Sequence, residues 1–247
     1  MRRSPRFIAK TKAKNNAIAG FTLMEVLVSL AILVTVTGAV FEQVNSMQKK
    51  SASEATNVDL TQQSRDFVNQ MVHDLHMAGY PAASMYSVDP TLRPSLVANR
   101  LVKVSPTEIL MEGDVNNDGT VESVDISYVA SDPNDPMCPC IRRSAQAKTA
   151  ADSLNQGTNP LYTETQQVFP PGTGLGQSGE DLFAFYDQNG KTVDLSMYND
   201  ISSLQGAANL ASIKTVKINL SLLTNQRDPV TGNFLRTSMS ASARLNY

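Results

Sequence analysis

Apolar residues run almost unbroken from Phe21 to Phe41, and the single charge among them is Glu25. From Phe21 to Ala78 there is one glycine, Gly38, and no proline. Further along, Leu60, Phe67, Met71 and Leu75 recur at helical spacing, with Ser64 in line and Val68 and Val72 beside them. Between the two apolar stretches, Glu42 to Ser64 is rich in Gln, Ser and Lys, which marks a solvated or partner-facing surface. Gly79-Tyr80-Pro81 then supplies a stop, glycine as the C-terminal cap and proline just beyond it. The pattern predicts one helix from Phe21 to about Ala78, on the order of 85 Å at about 1.5 Å per residue. Its second half needs something to pack against, because a long helix owes most of its stability to tertiary contacts.

After Pro81 the period changes. Leu101 to Val104 and Glu108 to Met111 are short apolar runs, and Asp125 to Val129 alternates as a half-buried strand does. Leu182 to Asp187 leads through Gln188-Asn189-Gly190 into Lys191 to Leu195, which reads as an Asn-Gly hairpin. Ile213 to Leu223 puts Val216, Ile218, Leu220 and Leu222 on one face, and Ser238 to Leu245 reads as a last strand. The polar stretch Asp132 to Gln167 reads as a long loop. The expected fold class is α+β, with an antiparallel β-sheet head, residues 81–247, wrapped on a helix continuation, residues 45–80.

The first twenty residues carry Arg2, Arg3, Arg6, Lys10, Lys12 and Lys14 and no acid. By the positive-inside rule, residues 1–20 stay in the cytoplasm and everything after about residue 45 lies outside. Glu25 sits where a carboxylate in lipid costs roughly 2.5–3.5 kcal/mol, so it calls for a function. A secretory signal would have an apolar core of about 7–15 residues ending at small residues. Thr37-Gly38-Ala39 could serve as that site, but the run leading to it is too long. A plain single-pass anchor is the stronger rival, since about 20 apolar residues span a bilayer. Lipoprotein anchoring is excluded, because neither cysteine lies near the N-terminus.

A basic leader, then Gly20-Phe21-Thr22-Leu23-Met24-Glu25, then a long apolar helix resembles the signal of the type IV pilin superfamily. In that family a membrane peptidase cuts after the glycine and methylates the new first residue, here Phe21. The resemblance implies that Glu25 pairs with the N-terminal amine of a neighbouring subunit, and that residues 21–44 form a transmembrane and filament-core helix. The string Arg65 to Tyr80, ending Asp74-Leu75-His76-Met77-Ala78-Gly79-Tyr80, is similar to the helix end of PilW-type minor pilins, with His76 where that family has arginine. The J-type pseudopilin of type II secretion is a relative of similar organisation. The partners so implied are prepilin peptidase, major and minor pilins, and an inner-membrane assembly platform.

Charge divides the chain. The formal net charge of −2 includes six leader cations out of 21 basic residues, so the remainder has 15 against 23 acids, near −8. An acidic exterior disfavours nucleic-acid binding. With no tryptophan and 6% aromatics, the core is modest.

Asp114-Val115-Asn116-Asn117-Asp118-Gly119-Thr120-Val121-Glu122-Ser123-Val124-Asp125 is the one metal-like string. Oxygen side chains at Asp114, Asn116, Asp118, Glu122 and Asp125, with Gly119 for the turn and the Thr120 carbonyl, follow the spacing of a calcium loop. The flanks read as strands rather than helices, so a hairpin turning at Asn117-Asp118-Gly119 is the main expectation and bound calcium the alternative; no other cofactor is expected. Cys138 and Cys140 flank Pro139 and admit a bridge, two separate thiols or a metal contact, although two thiols are too few for structural zinc. His73 and His76 lack a third ligand nearby and read as solvated or core-edge residues. Gly174-Leu175-Gly176-Gln177-Ser178-Gly179 matches G-x-G-x-x-G but follows two prolines and precedes a strand, so it reads as a loop. No nucleophile elbow or zinc-protease string is present, and no enzyme is expected. The expected function is assembly: a minor pilin that helps initiate or cap a type IV pilus. The alternatives are a J-type pseudopilin and, from another class, a binding or enzymatic domain merely anchored by the helix.

Overall fold

The computed structural model describes residues 20–85, 96–136, 138–148, 153–155, 162–169, 181–196 and 199–246. A single helix, α1 (Leu23–Met77), is followed by β1 (Leu101–Ser105), β2 (Glu108–Gly113), β3 (Glu122–Val129), β4 (Cys140–Ala147), β5 (Tyr162–Gln166), β6 (Phe183–Tyr186), α2 (Leu204–Ser212), β7 (Thr215–Arg227) and β8 (Phe234–Arg244). The chain divides into two compact units, one ending at Lys49 and one comprising Lys50–Tyr247. This is the expected α+β architecture, a long apolar N-terminal helix and an antiparallel β head.

In the second unit β1 to β5 form an antiparallel meander, and β6, β7 and β8 form a separate three-stranded sheet. One expectation is corrected here: there are two sheets, not one. They meet where Val168 bridges Leu222, with the Phe169 N–H on the Ser221 carbonyl and the Leu223 N–H on the Gln167 carbonyl. The helix face anticipated from spacing is the buried one: Leu60, Ser64, Phe67, Val68, Met71 and Leu75 all lie in the interior. Each large apolar side chain so buried is worth about 1.5–3 kcal/mol. Ser64 is tolerated there because its hydroxyl donates to the Leu60 carbonyl at 2.8 Å. From the sheets, Ile109, Val124, Ile126 and Ile141 close the same core together with Val216, Ile218, Leu220 and Leu222, the alternating face of β7.

The helix ends as its sequence requires. Gly79 takes φ +84°, and its N–H donates to the Glu112 carbonyl of β2 at 2.8 Å. Ala78 bridges Gly113, so the helix terminus is tied into the sheet instead of fraying. Gly113 is the residue this contact demands, because a Cβ there would meet the Met77 carbonyl oxygen and lie 2.9 Å from its carbon.

A second correction concerns Asp132 to Gln167, read as loop, which contains β4 and β5. β4 reads Cys-Ile-Arg-Arg-Ser-Ala-Gln-Ala and lacks apolar alternation. It pairs along its whole length with β3, and its Arg143 reaches the fully buried Asp74 of α1, Nε to Oδ2 at 2.8 Å. A charge pair thus takes the place an apolar residue would occupy. The return strand expected after Asn189-Gly190 shrinks to a Tyr186–Thr192 bridge, with the Val193 N–H on the Phe185 carbonyl at 3.0 Å and the Asp187 N–H on the Lys191 carbonyl at 2.9 Å. α2 was not expected. Ser203 caps it by accepting the Gly206 N–H at 3.0 Å, and the Arg100 guanidinium caps its far end on the carbonyls of Leu210, Ala211 and Ile213.

Candidate processing and assembly site

Residues 20–22 lie outside the helix, and α1 begins at Leu23. Thr22 starts it: its side chain accepts the Glu25 N–H at 3.3 Å, and its carbonyl accepts the N–H of Glu25 and of Val26 at 3.0 and 3.2 Å. Thr22-Leu23-Met24-Glu25 has the spacing of a capping box, with Glu25 at the third helical position. The Gly20–Phe21 peptide bond therefore stands in non-helical backbone just before the cap, open to a peptidase, and no neighbour crowds Gly20. Thr22 is thus the helix cap, a role the S/T-x-x-E spacing signals.

Glu25 occupies the first turn, where the free N–H groups and the positive end of the helix dipole favour an anion. Among the described residues no cation pairs with it. From Phe21 to Val44 the large apolar side chains are exposed on every side of the helix. A helix apolar all round is stable in lipid or among other helices, not in water. It is long and apolar enough to cross a membrane.

Asp114 to Val121 form the turn between β2 and β3, and Glu122 to Asp125 open β3, as the hairpin reading expected. Asn117 and Gly119 take φ of 58° and 86° at its tip. Carboxylate oxygens of Asp114, Asp118 and Glu122 lie within 4.8 Å of one another. Five of their six oxygens accept a hydrogen bond from the loop itself. Asp114 takes the N–H of Asp118 and of Gly119, Asp118 takes the Thr120 N–H and the Asn116 amide, and Glu122 takes the Val115 N–H. The Thr120 N–H holds the Asp118 carboxyl below the usual range. Burial pushes Glu122 up, and the charges of Asp118 and Asp114 add to it.

Asp125 does not join this group. It lies three residues beyond Glu122 in the same strand, so the odd offset puts it on the other face, paired with Leu110. The twelfth ligand of a calcium loop is thereby lost, because a strand flank cannot return that residue to the loop as a helix does. Asp125 is instead half-buried among Glu108 and Lys103, with Oδ1 unpartnered, and burial lifts its pKa to about 6.

Cys138 and Cys140 are joined in a disulfide, the bridge among the three states considered. The neighbouring Arg142 guanidinium pairs with Asp132 at 2.5 Å and with Asp135 at 3.7 Å. His73 lies 3.6 Å from Asp74, and neither histidine belongs to any metal-holding group among the described residues. Gly174 to Gly179 lies outside the described residues.

The prokaryotic N-terminal methylation motif matches residues 15–41, a span that includes Gly20, Phe21, the Thr22 cap, Glu25 and the apolar run to Phe41. No curated protein and no solved structure matches the chain. The motif carries with it processing by prepilin peptidase and partners of the pilin kind, and with the apolar helix it indicates membrane anchoring. Sequence motif and helix together support a type IV pilin-like prepilin.

Proposed function

We propose that this chain is a minor pilin. Prepilin peptidase cuts it after Gly20, helix residues 21–44 hold it in the inner membrane with the β head outside, and the same helix then enters a pilus, where the subunit helps to initiate or cap assembly. The observation that carries this reading is the helical run from Phe21 to Phe41, exposed and apolar all round, whose one charge, Glu25, has no cation among the described residues. A buried carboxylate is tolerable chiefly when paired. Cutting after Gly20 releases an amine at Phe21, and the amine of a neighbouring subunit is the matching charge. The basic leader supports the orientation. The J-type pseudopilin reading rests on the same features, and adjacent genes for minor pilins or for a secretion ATPase and secretin separate the two. No catalytic role is assigned.

Mass spectrometry of the N-terminal peptide from the native host tests the cut, with Phe21 expected first; a start at Met1 or near Val40 refutes it. Glu25→Ala is expected to be cut normally but to be depleted from sheared filaments. Normal incorporation of that variant overturns the pairing role.

A further inference from the structure

Where β5 and β7 diverge above α1, within the second unit, a polar groove of about 880 Å³ opens. Its floor is the helix from Thr56 to Gln70, and its walls are Glu164, Gln166 and Gln167 on one side and Thr224 and Asn225 on the other. Three acids line it, Asp59, Asp66 and Glu164. None has a cationic partner among the described residues. Among the described lining residues the one cation, Arg143, is already bound to the buried Asp74. The groove is therefore net negative. Gln62 and Gln63 on the helix and Gln166 and Asn225 on the walls make no side-chain hydrogen bond to any described residue, so four carboxamides stand free to donate and accept. On the outer edge of β5, away from β4, no described backbone group pairs with Tyr162 to Gln166. An open edge of this kind presents a row of unpaired N–H and C=O groups.

We propose that this groove binds an extended, basic polypeptide segment of a partner protein, which adds a strand to the β5 edge and sets its Lys or Arg side chains against Asp59, Asp66 and Glu164. Chemistry selects that class. A nucleic acid is repelled by three unpaired acids. A neutral glycan lacks a platform, because among the described lining residues the only aromatic one, Phe67, is buried. A peptide strand satisfies both the free carboxamides and the open edge, the mode in which main-chain bonds supply affinity and side-chain pockets supply choice. Fourteen residue steps of helix from Thr56 to Gln70 span about 21 Å. That length accommodates about six to seven residues of extended chain. The proposal stands apart from the filament role of Glu25, and neither depends on the other.

The test uses the full chain in zwitterionic detergent and a fluorescent peptide of alternating lysine and threonine, about seven residues long, with an alternating glutamate–threonine peptide, a neutral oligosaccharide and single-stranded DNA as comparison probes. Saturable binding of the lysine peptide is expected, weakening with added salt. Asp66→Asn with Glu164→Gln is expected to weaken it about tenfold or more. Asp59→Asn alone gives a milder second variant, and Asp194→Asn, outside the groove, is expected to change nothing. Hydrogen exchange is expected to show new protection of the Tyr162–Gln166 amides on binding. Equal binding by the acid-to-amide variants, no protection of β5, or preference for any of the comparison probes overturns the proposal.

Discussion

Asp74 is the one charged residue among the buried positions of α1, and its loss is expected to unfasten the helix from the β1–β5 sheet. It is fully buried, accepts the Arg143 guanidinium and the Gln70 amide at 2.8 Å each, and has no water-facing surface. Removing one partner of a buried pair costs about 3–5 kcal/mol, because the other charge is left uncompensated. Asp74→Ala strands Arg143, whose side chain is 16% exposed and can turn partly to water, so the lower end, about 3 kcal/mol, is expected. Arg143→Met strands a carboxylate with no exposure, so about 4 kcal/mol is expected. In a unit the size of Lys50–Tyr247, about 3 kcal/mol lowers Tm by about 6–12 °C. Asp74→Leu with Arg143→Met replaces the pair by apolar volume and is expected to return to within about 1 kcal/mol of the parent. Thermal unfolding of the full chain in detergent at pH 7, run as a double-mutant cycle, measures all of these. If the Asp74 and Arg143 losses add to within about 0.5 kcal/mol, the two residues are not coupled and the reasoning fails.

Gly113→Ala is expected to cost about 1–3 kcal/mol by overpacking, since its methyl would land on the Met77 carbonyl; an unchanged melting temperature would show that the helix end shifts freely. Asp125 supplies a pH test. Its folded pKa, about 6, lies above the ordinary 3.8, so the native state holds this proton more tightly than the unfolded chain, and stability is lost as pH rises from about 4 to about 6. That rise corresponds to about 3 kcal/mol, screened to about 1–2 kcal/mol by partial exposure. Asp125→Asn should therefore be the more stable protein at pH 7 and show no gain at pH 4; a gain that is constant with pH would refute the assignment. Calcium is expected to move Tm little, because the Asp114, Asp118 and Glu122 oxygens already take loop hydrogen bonds and Asp125 lies elsewhere. Saturation at a hundredfold excess would contribute about 2.7 kcal/mol if the loop did bind, and a rise of that order lost in Asp118→Ala would make it a calcium site.

The helix, its buried face and its glycine stop were legible in the sequence because each rests on local rules. Apolar spacing near 3.6 residues marks the face, glycine with positive φ marks the end, and a charge in an apolar run marks a residue with a role. The strands β1, β2, β3, β6, β7 and β8 were legible for a similar reason, since alternation or short apolar runs announce them. β4 and β5 were not: on the α1-facing side of β4 an Arg143–Asp74 pair joining residues 69 apart in sequence stands where apolar alternation would continue, and β5 reads Tyr-Thr-Glu-Thr-Gln with only Thr165 buried. Such a pair has no local signature: until α1 and β4 meet, Arg143 and Asp74 are two ordinary surface charges. The same holds for Asp125, whose spacing fits a calcium loop until the strand flanks turn it to the opposite face. It holds also for the acidic groove, whose walls come from strands that meet only after both sheets have formed. Local periodicity and a processing motif thus determined the helix and its membrane segment, and only tertiary pairing decided which charges are buried, which are matched and which are left facing open space.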